Sequence, residues 1–160
     1  MRPSTLTFAY TEGSGYVEWL GKGARHQFEY VFRIYSQGNS EHRANRISAY
    51  AFNLRGGKGS GSYFQDPVDT HSWILVTAVF TLKKAGPYPA NTVTILRDGV
   101  VRKTTPLSQY HVVPKAGSAP FEVGTVNGKS FFEGGIGKVA VFNRVLTPAQ
   151  VEQQFNVMMQ

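Results

Sequence analysis

Between Gln27 and Tyr35 the chain alternates strictly: Phe28, Tyr30, Phe32 and Ile34 fall on one face, Glu29, Val31, Arg33 and Tyr35 on the other. A period of two sends successive side chains to opposite sides of a pleated strand, so this segment reads as a strand with one face turned to a core. Runs rich in β-branched and aromatic residues recur at 45–54, 73–82, 92–96, 121–126 and 136–142, each bounded by Gly, Pro, Asn or Asp. Many short strands with no helix between them predict an all-β chain built as an antiparallel two-sheet sandwich.

The punctuation agrees with the strands. Asp98-Gly99 separates Thr92-Val93-Thr94-Ile95-Leu96 from Val100-Val101, the pattern of a tight hairpin in which glycine supplies a positive φ. Gly56 to Gly61 and Lys83 to Pro89 read as loops. One helix is signalled, over 148–155: Thr147 is an N-cap, Pro148 suits the first helical position, and Gln150 stands where a capping box needs it. Leu146 and Val151 can form the staple across the cap, and Val151 and Phe155 an i, i+4 apolar pair.

With 160 residues, 41% hydrophobic and 17% charged, residues 1–160 make one folded domain with a core large enough to stand without staples. No cysteine is present, which removes disulfides, thiolate nucleophiles and cysteine-based metal sites. No stretch approaches the roughly 18 apolar residues of a membrane span, so no transmembrane segment is expected. Met1-Arg2-Pro3-Ser4 leads into an alternating segment, not an apolar signal region. The net charge of +7 admits anionic partners. The basic residues form no run, only the pairs Lys83-Lys84 and Arg102-Lys103, so nucleic acid is disfavoured as a partner.

Catalytic patterns are missing. His26, His42, His71 and His111 lie 16, 29 and 40 residues apart, and none opens a zinc-binding His-Glu-x-x-His helix. No serine is flanked by glycines at −2 and +2, as a nucleophile elbow requires. Gly124 to Ser130 imitates a phosphate loop, but three residues, not four, precede Gly128-Lys129-Ser130, and a Gly-rich stretch follows where the helix should be. None of the three aspartates, Asp66, Asp69 and Asp98, has glutamate two positions before it. The chain is therefore expected not to be an enzyme. Asp66-Pro67-Val68-Asp69 is a loop that is either solvated or a calcium ligand set, Asp66 and Asp69 being the metal candidates.

Trp73 to Val76, Thr94 to Val100, Phe121 to Gly124 and Phe132 to Thr147 run in the order and spacing of laminin-G-like domains. The chain thus resembles the concanavalin A-like lectin/glucanase superfamily over roughly residues 15–155, most specifically at Asn143-Arg144-Val145-Leu146-Thr147. That resemblance implies a jelly-roll sandwich, with Trp73 in its core. It also implies a noncatalytic recognition module attached to secreted or surface proteins, with glycan favoured as the partner and a protein surface as the alternative. The family's frequent Asp-Glu after the isoleucine is Gly137-Lys138 here, its frequent histidine after tryptophan is Leu75, and the Glu-x-Asp-x-x-Glu strand of its glucanases is absent.

Sugar binding calls for an aromatic platform beside hydrogen-bonding side chains. Arg33 and Tyr35 share the less apolar face of their strand, and Arg46, Tyr63 and Asp66 add the right residue types nearby. These five are the ligand-binding candidates. A structural or protein-interaction domain of a larger surface or virion assembly is the competing reading, and a hydrolase with two acids converging from separate strands the third.

Overall fold

The computed structural model describes residues 1–7, 15–24, 27–126, 128 and 130–160. His26, with Asn127 and Lys129 of the imitation phosphate loop, lies outside them. Strands β1 (Arg2–Pro3), β2 (Tyr16–Ala24), β3 (Gln27–Tyr35), β4 (Ile47–Ala51), β5 (Ser60–Tyr63), β6 (Val76–Thr81), β7 (Thr92–Arg97) and β8 (Val100–Pro106) lead to a 3-10 turn at Leu107–Tyr110. Strands β9 (Phe121–Val123) and β10 (Gly134–Gly135) follow, then helix α1 (Pro148–Met158).

Every pairing is antiparallel. One sheet runs β5-β4-β3-β2-β9, a second β6-β7-β8, and β1 pairs with β10. Alternation decides which face is inner. Tyr30, Phe32 and Ile34 of β3 pack with Val17, Ile47 and Ala49 of its neighbours, and Ala78 and Ile95 meet them from the other sheet. The back of the smaller sheet is covered by α1, where Val79, Leu96, Leu146 and Val151 form a separate apolar cluster.

The tryptophan expectation is corrected. Trp73 is 38% exposed, its ring beneath the Arg2 guanidinium, whereas Trp19 is 4% exposed and packs on Phe32 with ring centroids 5.4 Å apart. A register shift between Glu18 and Leu20 admits Trp19: it has no register partner on β3, and it and Leu20 both enter the core, which simple alternation forbids, while Trp73 precedes β6 outside any strand.

The expected strand at 136–142 is also corrected. Ile136 packs on the core, but the segment joins no ladder, and Val139, Val141 and Phe142 are exposed. Strand propensity is expressed only through a hydrogen-bonded neighbour. Elsewhere the expected runs shorten at their ends: 45–54 to Ile47–Ala51, 73–82 to Val76–Thr81 and 121–126 to Phe121–Val123. The Gly56 to Gly61 loop gives up its last two residues to β5.

The turn and cap chemistry behaves as written in the sequence. Asp98 and Gly99 both adopt positive φ, 54° and 85°, closing the β7–β8 hairpin. Thr147 and Gln150 form both bonds of the capping box, and α1 continues three residues past the expected end.

Candidate functional site

Strand β5 is Ser-Gly-Ser-Tyr, and its alternation builds a seam between the two sheets. On the inner side, Ser60 donates to the Leu107 carbonyl at 2.8 Å and Ser62 to the Val93 carbonyl at 2.9 Å, with Thr105 Oγ1 2.8 Å from Ser62 Oγ. Small hydroxylated residues let the edge of the large sheet close onto β8. On the outer side, Gly61 stands opposite Tyr50, and a Cβ there would sit 2.5 Å from Tyr50 Cγ. Glycine is what lets the Tyr50 ring lie against β5.

The seam opens into a cleft of about 320 Å³ lined by Arg43, Tyr50, Tyr63, Lys103, Gln109 and Tyr110, with Gly61 and residues 104–106. Arg43 donates to the Tyr50 hydroxyl at 3.0 Å and the Tyr35 hydroxyl at 3.3 Å, and pairs with Glu41 at 2.8 Å. Its guanidinium carbon lies 4.5 Å from the Tyr63 ring centroid, and Lys103 Nζ lies 4.4 Å from the same centroid. Tyr110 is 40% exposed at the mouth, with Lys58 Nζ 5.5 Å from its ring. Burial pushes the Tyr50 hydroxyl up to about 12, with Tyr35 adding to the rise and Arg33 and Arg43 opposing it.

Of the five ligand-binding candidates, Tyr63 alone lines this cleft. Arg33 and Tyr35 are corrected: both are buried on the outer face of the large sheet. Arg33 is 7% exposed, with its guanidinium carbon 4.1 Å from the Tyr50 ring centroid and 4.4 Å from that of Tyr16. Alternation gave the right face, but tyrosines from β2 and β4 roof it over. Arg46 ties two loops together, its Nε donating to the Gln65 carbonyl at 2.8 Å and its Nη1 to the His42 carbonyl at 2.9 Å.

Asp66 and Asp69 do not fit a calcium site. Asp66 Oδ2 is held by Arg97 at 2.8 Å and faces Arg102 at 3.6 Å, so cations of the chain stand where a metal would. Asp69 Oδ1 accepts from the backbone of Ser72 and His71, each at 2.7 Å, and these bonds hold its carboxyl below the usual range. Among the described residues no three of His, Asp and Glu converge.

Tyr50, Arg43, Lys103, Gln109 and Tyr110 escaped the sequence reading. Tyr50 carried a faint signal, being on the same strand face as Ser48 with Gly61 opposite it. Lys103 carried none, because only the meeting of two sheet edges brings it to Tyr63.

A larger cleft of about 870 Å³ lies between β6 and residues 138–146, floored by Trp19, Tyr30 and Phe32. Its floor is the hydrophobic core and its surface is mainly apolar, although Glu29, Lys115, Lys138, Asn143, Arg144 and Gln154 also line it. The seam cleft is lined mostly by polar side chains with an exposed aromatic ring at its mouth, as recognition of a polar ligand requires.

The fold is an antiparallel β-sandwich with one short C-terminal helix. The family model described as the concanavalin A-like lectin/glucanases superfamily matches residues 9–152, and the chain belongs to that family. Membership supports a carbohydrate- or protein-binding module as the general class. No curated protein and no solved structure matches the chain. Among the described residues no helix is long and apolar enough to cross a membrane.

Proposed function

We propose that the chain is a noncatalytic recognition module that binds carbohydrate in the β5–β8 cleft. The observation that carries this reading is the cleft's lining: the exposed Tyr110 ring beside Gln109, Thr104 and Arg43. The ring offers a surface for the C–H face of a sugar, and the polar groups offer donors and acceptors for its hydroxyls. A mismatched sugar would leave those groups unpaired, which is how such a site discriminates.

A glycan array probed with the parent protein, Tyr110→Ala and Gln109→Ala tests the proposal. The parent should bind a restricted set of saccharides. Each variant should melt like the parent and lose about tenfold in affinity, the cost of one stacking or hydrogen-bonding contact. An array with no saccharide above background, or variants that bind like the parent, would direct attention to a protein partner instead. Turnover of any bound saccharide would overturn the noncatalytic part.

A further inference from the structure

We infer that the β5–β8 cleft selects saccharides bearing an acidic substituent, a carboxylate or a sulfate ester, and that Arg43 and Lys103 seat it. This rests on the carbohydrate reading above and narrows it to a ligand class.

The argument starts from Tyr63. Two cations stand over this one ring, Arg43 at 4.5 Å and Lys103 at 4.4 Å from its centroid. Tyr63 is less exposed than Tyr110 and has two cations against its ring where Tyr110 has one, so the stacking surface falls to Tyr110. The part of Tyr63 is to hold each of two positive charges at the cleft through its electron-rich π-system. Both cationic residues line the same cleft, so an anion entering it is attracted by two positive charges.

The acids that could quench this pair are engaged elsewhere or only partly serve it. Glu41 pairs with Arg43 through Nη1. Asp66 is taken by Arg97 and Arg102. Lys103 has no ion pair with any described residue, and it lines the cleft beside Thr104 and Gln109. Lys58 adds a third cation at the rim, over Tyr110. The arrangement matches a saccharide whose ring rests at Tyr110 and whose acidic group reaches inward. Arginine supplies a planar fork for two oxygens, and lysine a point charge.

The test compares acid and neutral partners of the same saccharide by calorimetry: tetragalacturonate against its methyl ester, and sulfated maltotetraose against maltotetraose. At least one acid should bind about tenfold or more tightly than its neutral partner, as a charged hydrogen bond predicts. That preference should shrink as salt rises. Lys103→Met should remove the preference and Lys103→Arg should keep it, which separates lost charge from lost packing. Lys84→Met, an exposed charge outside the cleft, should bind as the parent does.

Equal binding within both pairs overturns the inference while the carbohydrate reading stands. So does an equal loss in Lys84→Met and Lys103→Met, which would mean diffuse attraction to a basic surface. Tighter binding of a single-stranded oligonucleotide than of either acid also overturns it. Loss of all saccharide binding fells both the inference and the reading beneath it.

Discussion

The guanidinium carbon of Arg33 lies 4.1 Å from the centroid of the Tyr50 ring, and the same ring forms part of the wall of the seam cleft. A buried charge thus lies against a ring that lines the cleft. Arg33 also donates to the Tyr35 hydroxyl at 3.3 Å and lies 5.6 Å from that ring's centroid. Burial works against its charge, but Tyr35, Tyr16, Tyr50 and Glu18 favour it, and together they hold its proton more firmly than in water.

Replacing this charge should be costly. Arg33→Met keeps most of the volume, but it loses the ring contacts and removes the positive charge that Glu18 faces. Urea unfolding should show a loss of about 3 kcal/mol. A loss below about 1 kcal/mol would mean that the rings and Glu18 do not depend on the charge.

Tyrosine ionisation gives the alkaline prediction its sign. The Tyr50 hydroxyl is raised from 10.0 to about 12 in the fold, so between those values the folded chain keeps a proton that the unfolded chain has released. Stability is fully present below pH 10 and falls as pH rises toward 12. Burial raises Tyr30 and Tyr88 as well, with the same sign. Tyrosinate absorbance during alkaline titration, compared with that of Tyr50→Phe, should show one tyrosine ionising late.

The two tryptophans should behave oppositely. Trp19→Ala empties a core position and should destabilise by about 3–5 kcal/mol. Trp73→Ala loses a half-exposed ring and one Arg2 contact, so its cost should stay near 1 kcal/mol or a little more. Fluorescence quenching by acrylamide should act mainly on Trp73, and Trp19→Phe should leave most of the quenchable emission in place.

Gly99 is constrained twice. Its φ is 85°, and a Cβ would stand 2.6 Å from Glu152 Cα on α1. Gly99→Ala should therefore cost about 2–4 kcal/mol, combining left-handed backbone strain with displacement of the helix. Gly86→Ala has positive φ but open space around it and should cost only about 1 kcal/mol. Equal losses in the two would show that helix packing on the turn contributes nothing.

What the sequence made legible was local. Strand β3 was bounded to the residue because the alternation of Phe28 to Ile34 is strict and its flanks are polar. Asp98-Gly99 and Thr147 with Gln150 act through near neighbours, so their chemistry could be read directly. Trp73 was misjudged because it precedes β6 outside any strand, and Trp19 went unread because the register shift that turns it inward is set by pairing with β3, which no spacing reveals. The cleft was hidden for a similar reason. Tyr63 and Lys103 lie on different sheets, and only the closure of β5 onto β8 by Ser60 and Ser62 joins them. Arg33 and Tyr35 were placed on the correct face, but a roof of other tyrosines is invisible to alternation.

A guanidinium does not give up its proton at any pH that a folded protein survives, and a buried charge is screened far less than a surface one. Arg33 is therefore a fixed charge against the Tyr50 ring. Acid, alkali or added electrolyte will change what approaches the seam and how the rim charges meet it. The charge on Arg33 itself stays constant, and it is written into the strand, not into the medium.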